Sequence, residues 1–219
     1  MTEIYTARED TFLLLPFSEV AAGTSFLDIG TGSGQLALAA ARRGARVVAT
    51  DRNPHALLEL TARARAEHLD LLAVRTDLAR GLGRFDRIVA NPPYLPTRPE
   101  ERDPDPWHNL ALDGGPDGWA SGARIVASLR EHLRPNGSAF VLTSSLQSEV
   151  HRRAIWASWR RSGGTVRRVA RRTLEGERIA VYRFRVARRR PVTSPGRRAR
   201  APLPGTGARP RTQSVRRSG

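Results

Sequence analysis

The stretch SFLDIGTGSGQLALAAARRGARVVATD, residues 25–51, decides the fold. It opens with a short apolar run, SFLDIG, that reads as a buried strand. Glycines at 30, 32 and 34 follow. An alanine-rich helical pattern, QLALAAARRG, then closes on Gly44, a residue that suits the end of a helix. A second apolar run, ARVVATD, completes the unit. Strand, glycine turn, helix and strand in this order predict two parallel strands joined by a right-handed crossover.

The alternation continues on both sides. Asn53 can cap a helix with Pro54 in its first turn, covering PHALLELTARARAEH. LLAVRTD and FDRIVA read as a third and a fourth strand. WASGARIVASLREHL reads as a helix stopped by Pro135, Asn136 and Gly137, with SAFVLTSS as a fifth strand. LQSEVHRRAIWASWRRSG is a helix that puts Trp156 and Trp159 on a packing face. TVRRVARR and RIAVYRFRV then form two strands with no helix between them. Upstream, EDTFLLLPFSEVA is an opening helix that Pro16 breaks or kinks. The expected fold is α/β: a Rossmann-like, doubly wound, seven-stranded, mostly parallel sheet with an antiparallel last strand. Residues 91–117 are expected to be one long loop, of a length that in a compact domain is functional or disordered.

Charge divides the chain unevenly. Residues 1–151 carry 16 Arg against 19 Asp and Glu, whereas residues 152–219 carry 21 Arg against 2 Glu. The basic C-terminal third suits contact with nucleic acid, the ribosome or another acidic surface. Genomic bias explains it equally well, because Arg, Ala, Gly and Pro are abundant together and Lys is absent. Residues 188–219 hold 10 Arg, 5 Pro and 4 Gly and almost no large apolar group, a composition expected to be disordered. The domain organisation is therefore a folded part over residues 1–187 and a tail over 188–219. There is no cysteine, no signal-peptide pattern and no apolar run near the roughly 20 residues of a membrane span, so a cytoplasmic protein is expected.

Four neighbouring strand tips carry polar or glycine clusters: DIGTGSG, Asp51, Asp77 and Asn91. Ligands of doubly wound sheets sit at such tips. The glycine spacing is not the dinucleotide fingerprint, which would need glycine where the chain has Gln35, so a nicotinamide cofactor is disfavoured. A P-loop is excluded by the lack of Lys. Asp51 can accept both hydroxyls of a ribose, and Asp77 can accept from the exocyclic amine of adenine with Leu78 as an apolar wall. Together these describe a pocket for an adenosine without a phosphate tail. The histidines are scattered and suggest no metal site, and Trp107 and His108 in the long loop can contact substrate, although a lone His and Trp in a loop are more often packing or surface residues.

DIGTGSG, Asp51, Asp77 and NPPY (residues 91–94) together resemble the class I S-adenosylmethionine-dependent methyltransferases. YTAREDTFLLL, ALDGGPDGW and GERIAVYRFRV are similar to the opening, middle and closing segments of the HemK-like protein glutamine methyltransferases, above all the short archaeal and eukaryotic type. The resemblance spans residues 4–187. It implies S-adenosylmethionine as cofactor, held by Thr11, Asp28, Gly30, Gly32, Gly34, Asp51, Asp77 and Leu78. It implies catalysis by Asn91, Pro92, Pro93 and Tyr94, and the Gly-Gly-Gln glutamine of a peptide-chain release factor as the target. A small zinc-binding activator protein is a further implied partner. Ala7 stands where that family's opening has proline. Only about two dozen residues precede the first strand, so the N-terminal helical domain of the bacterial members is expected to be missing.

NPPY suits the methylation of a flat nitrogen group. The Asn91 side-chain oxygen and the Pro92 carbonyl are two acceptors for two N–H groups, and they can turn the nitrogen lone pair toward the methyl. Pro93 stiffens the step and Tyr94 offers a stacking surface. The motif does not by itself choose between glutamine and adenine. Adenine N6-methylation of RNA or DNA, lysine methylation, and a nucleic-acid-binding protein that merely holds cofactor stay open.

Overall fold

The computed structural model describes residues 7–186. The expected tail, residues 188–219, lies outside them. In chain order the elements are α1 (Glu9–Leu14), β1 (Ser25–Ile29), α2 (Gln35–Arg42), β2 (Arg46–Asp51), α3 (Pro54–Ala66), β3 (Leu71–Arg75), β4 (Phe85–Ala90), α4 (Pro106–Leu112), α5 (Ala120–His132), β5 (Leu133–Ser144), α6 (Glu149–Arg161), β6 (Gly164–Leu174) and β7 (Glu177–Val186). The seven strands form one sheet in the order β3-β2-β1-β4-β5-β7-β6. All pairings from β3 to β5 are parallel, and β7, the last strand in sequence, is antiparallel to both neighbours. This is the doubly wound, mostly parallel sheet expected from the alternation of elements.

The order reverses between β1 and β4. The chain winds outward from β1 through β2 to β3, then returns to lay β4 on the other side of β1. Ile29 and Ala90 are partners at the ends of those two strands. The glycine loop after β1 and the NPPY step after β4 therefore leave the sheet side by side, at the switch point where doubly wound sheets bind ligands.

Each face of the sheet is covered by a separate apolar layer. One joins Leu14, Leu36, Leu38 and Leu60 of the first three helices to Phe26, Val47 and Val89. The other joins Ile125, Leu129, Trp156 and Trp159 to Ile88, Val141 and Phe184. Burying one such aliphatic or aromatic side chain contributes about 1.5–3 kcal/mol. Trp156 meets Trp119, Tyr182 and Phe184 edge-on, with ring centroids 5.4, 5.1 and 5.0 Å away, so the packing face expected for α6 is where its apolar spacing put it.

Local signals explain several boundaries. Asn53 accepts the His55 amide N–H at 3.0 Å, with Pro54 next to it, and so starts α3. Pro16 cannot donate to a helix turn, and the chain tightens into a 3-10 turn over Leu15–Phe17.

Two expectations are corrected. Residues 91–117 are not one loop: α4 occupies Pro106–Leu112 and a 3-10 turn occupies Pro99–Glu101. The start of α4 repeats the Asn53–Pro54 device, since Asp105 accepts the Trp107 amide N–H at 2.8 Å ahead of Pro106. Seven residues among prolines give too short a period to be read from sequence. The fifth strand also begins at Leu133, earlier than Ser138. Phe85 pairs with Leu133 and Arg87 with Ser138, so Pro135, Asn136 and Gly137 belong to a bulge within the strand.

Candidate active site

A cavity of about 430 Å³ opens over the C-terminal strand ends. Thr11, Gly30, Gly32, Asp51, Asp77, Leu78, Asn91, Pro92, Pro93 and Tyr94 all line it. Ten of the twelve candidate residues thus meet at one place although they are drawn from five separate segments. Asp28 and Gly34 sit behind its wall. Asp28 is buried and accepts the Thr31 hydroxyl at 2.8 Å. Burial pushes its carboxyl up to about 7, and the Thr31 hydrogen bond only partly offsets this. Gly34 starts α2 at φ 75°, and a Cβ there would stand 2.6 Å from a Leu60 methyl. Glycine is what lets α3 pack this closely against the start of α2.

At the β2 tip, Asp51 accepts the Gly32 amide at 3.0 Å on one oxygen and the Asn53 amide at 2.8 Å on the other. Its burial raises the carboxyl above its usual range, and these backbone donors pull it back. A carboxylate has about four lone-pair sites, so one on each oxygen is left for a vicinal diol. Asp77 binds Arg124 of α5 through Oδ2, while its Oδ1 is buried without a partner. Leu78 beside it has φ 57°, a strained backbone for a branched residue and one commonest at ligand sites.

The other end of the cavity is built around Asn91. Its amide Nδ2 donates to Asp10 Oδ2 at 3.1 Å, and its Oδ1 is buried with no partner. Asp10 is itself fixed by the Thr11 amide at 2.6 Å and by a bond from the Tyr94 hydroxyl. Burial first, and then the charges of Asp10 and Glu177, raise the Tyr94 phenol far above its ordinary value, so it remains a donor. The side chain of Asn91 is thereby locked with its acceptor oxygen turned away from Asp10. A buried oxygen left unpaired costs about 1–3 kcal/mol, which a ligand N–H would recover.

The segment ALDGGPDGW braces the NPPY step. Leu95 donates to the Leu112 carbonyl at 3.2 Å and accepts from the Gly114 amide at 2.9 Å. Gly118 lies so close that a Cβ on it would stand 2.5 Å from the Tyr94 carbonyl oxygen.

Among the lining residues that sequence reasoning left out of the candidate site are Asp10, Trp107, Arg124 and Glu177. Asp10 stands in the quoted EDTFLLL run beside Thr11, and that adjacency was its signal. Trp107 is a wall of the cavity on α4, edge-on to His55 at 6.1 Å, and not a surface or packing residue of a loop. Glu177 stands in the quoted GERIAVYRFRV run, whereas nothing local marks Arg124.

The cavity fits S-adenosylmethionine. Its volume lies within the range of small-molecule sites. Asp51 has lone pairs to spare for a ribose, and the orphaned Asp77 Oδ1 beside Leu78 matches an adenine amine. Fold and cavity together define a methyltransferase. The methyltransferase small domain family matches residues 9–105. A Methanocaldococcus jannaschii protein named as a protein N5-glutamine methyltransferase is 36% identical over 149 residues, which are 67% of this chain and 75% of that one. The Caulobacter vibrioides release factor glutamine methyltransferase is 36% identical over 171 residues, 72% of this chain, which spans only 56% of that longer protein. The chain belongs to the protein N5-glutamine methyltransferase family. Among solved structures, the E. cuniculi Mtq2–Trm112 complex shares the fold at 24% identity, with a TM-score of 0.63 over 84% of this chain and 99% of that one. Among the described residues, no helix is long and apolar enough to cross a membrane.

Proposed function

We propose that this protein transfers a methyl group from S-adenosylmethionine to the side-chain amide nitrogen of a glutamine, the Gly-Gly-Gln glutamine of a peptide-chain release factor. The observation that carries the reading is the Asn91 carboxamide: its NH2 is committed to Asp10 and its buried Oδ1 has no partner. Such a group accepts from a planar N–H donor. The relatives' names supply the choice of glutamine.

When bound, S-adenosylmethionine supplies a sulfonium methyl, already a strong electrophile. Asp51 and Asp77 hold the nucleoside end, with Gly30, Gly32, Thr11 and Leu78 around it. Asp28 and Gly34 keep the glycine loop in shape from behind. Asn91 and the Pro92 carbonyl accept the two N–H groups of the substrate amide. This turns its nitrogen lone pair, otherwise delocalised into the carbonyl, toward the methyl. Both acceptors also stabilise the nitrogen as it becomes positive, and positioning of this kind contributes several kcal/mol. Pro93 fixes the step, and Tyr94 carries the flat group. The proton leaves after transfer, so no strong base is required.

The test is mass spectrometry of the release factor's Gly-Gly-Gln peptide after incubation with the enzyme and donor. A one-methyl gain on glutamine that Asn91→Ala abolishes supports the reading. An unmodified glutamine with wild-type enzyme ends it.

A second reading is adenine N6-methylation of RNA. It draws on the exposed Arg167, Arg168, Arg171, Arg172 and Arg178 of the β6–β7 hairpin, whose turn reaches the cavity through Leu174 and Glu177. Labelled donor offered to total RNA and to total protein separates the two by which fraction takes the label. In the protein reading, the same arginines serve a ribosome or other acidic contact. A gel shift with ribosomal RNA that weakens steeply with salt would support that use. A small zinc-binding activator protein is also proposed as a partner, with the Mtq2–Trm112 complex as the precedent for a second chain, and co-purification of the chain with such a partner checks it.

A further inference from the structure

β6 and β7 meet in a tight turn in which Leu174 pairs with Glu177. Both residues line the cavity. Glu177 Oε1 is buried and has no hydrogen-bond partner. A carboxylate oxygen withdrawn from water without a donor is costly, and this one stands in the wall of the ligand cavity.

The sheet order says which ligand. Asp51 ends β2 and Asp77 follows β3, on one side of β1. Asn91 follows β4 on the other side, and β7 lies two places further on. Ile179 near the start of β7 pairs with Ser144 at the end of β5, so Glu177 rises at the same C-terminal edge of the sheet as Asn91. With strands spaced by about 4.8 Å, Glu177 is set about 10 Å laterally from the Asn91 strand, away from the nucleoside end. Tyr94, whose phenol feels the charge of Glu177, lines the same cavity.

We propose that Glu177 is a substrate-binding residue whose Oε1 accepts a backbone N–H of the peptide carrying the target glutamine. Asn91 then grips the side-chain amide while Glu177 grips the main chain and contributes uniform binding of the peptide. The inference rests on the glutamine reading above. A peptide main chain offers such N–H donors on either side of the target residue.

The test compares wild type with Glu177→Gln, which keeps the shape and removes the charge. Steady-state transfer to the release factor gives kcat and KM at saturating S-adenosylmethionine, calorimetry gives the Kd of the donor, and thermal melting reports folding. Loss of a charged acceptor is expected to raise the KM for release factor about tenfold, with kcat, donor Kd and melting temperature nearly unchanged. Glu177→Asp, which keeps a shortened carboxylate, is expected to fall between the two and covers the case in which the glutamine variant folds poorly. An unchanged KM overturns the proposal, and so does a rise confined to the donor Kd, which would place Glu177 on the donor. If wild type leaves the glutamine unmodified, the function reading fails. If wild type methylates it and the variant's KM does not move, only the role of Glu177 fails.

Discussion

Asp10 and Asn91, 81 residues apart, are joined by a hydrogen bond of 3.1 Å from the asparagine NH2 to the carboxylate. Asp10 is on α1 and Asn91 follows β4, so the bond ties the opening helix to the NPPY step. It also decides which atom of Asn91 faces the cavity. An asparagine free to turn over would present its NH2 for part of the time, and an NH2 repels the N–H groups of a substrate amide. Asp10→Ala is therefore expected to lower kcat about 10- to 100-fold while donor affinity stays near wild type. Labelled methyl transfer and calorimetry, with melting curves to confirm folding, check both halves.

Asp51 presents the opposite pattern. It already holds the Gly32 and Asn53 amides, so it shapes the loop as well as any ribose it binds. Asp51→Ala should weaken S-adenosylmethionine binding at least tenfold, and raising the donor concentration should recover much of the lost rate. A rate that stays low at saturating donor would contradict this role.

Asp28 gives a prediction in pH. Its carboxyl is raised to about 7 by burial, so the folded protein keeps a proton that the unfolded chain has lost. Bound protons then favour the folded state. This contribution is full below about pH 4 and is lost as the pH rises through about 7, amounting to on the order of 4 kcal/mol. The ligand-free melting temperature of wild type should fall between pH 5 and pH 7.5 by several degrees more than that of Asp28→Asn, which has no proton to lose. Parallel melting curves for the two proteins would refute the assignment.

Gly118 is wedged under the NPPY step at φ 75°. Alanine there would meet the Tyr94 carbonyl at 2.5 Å and adopt an unfavourable backbone at once. Gly118→Ala is expected to cost about 1–3 kcal/mol in stability and to reduce transfer even at temperatures where the protein remains folded. Denaturant unfolding measures the first effect and initial rates measure the second.

Sequence alone determined what depends on neighbours along the chain. The glycine loop, the Asn53 cap, the break at Pro16 and the apolar runs of the strands are set by a few adjacent residues. Through the alternation of strand and helix they fixed a parallel sheet with Asp51, Asp77 and Asn91 at its tips. The tertiary structure decided which tips and faces meet. Asn91 finds Asp10, Asp77 finds Arg124 of α5, and Glu177 turns toward Tyr94 only because the sheet runs β3-β2-β1-β4-β5-β7-β6. It also placed Trp107 in the cavity wall on a helix too short to read, capped by Asp105. Those contacts are separated by tens of residues, and the energy that selects them is burial of whole helix faces against the sheet. No local window of sequence contains that term.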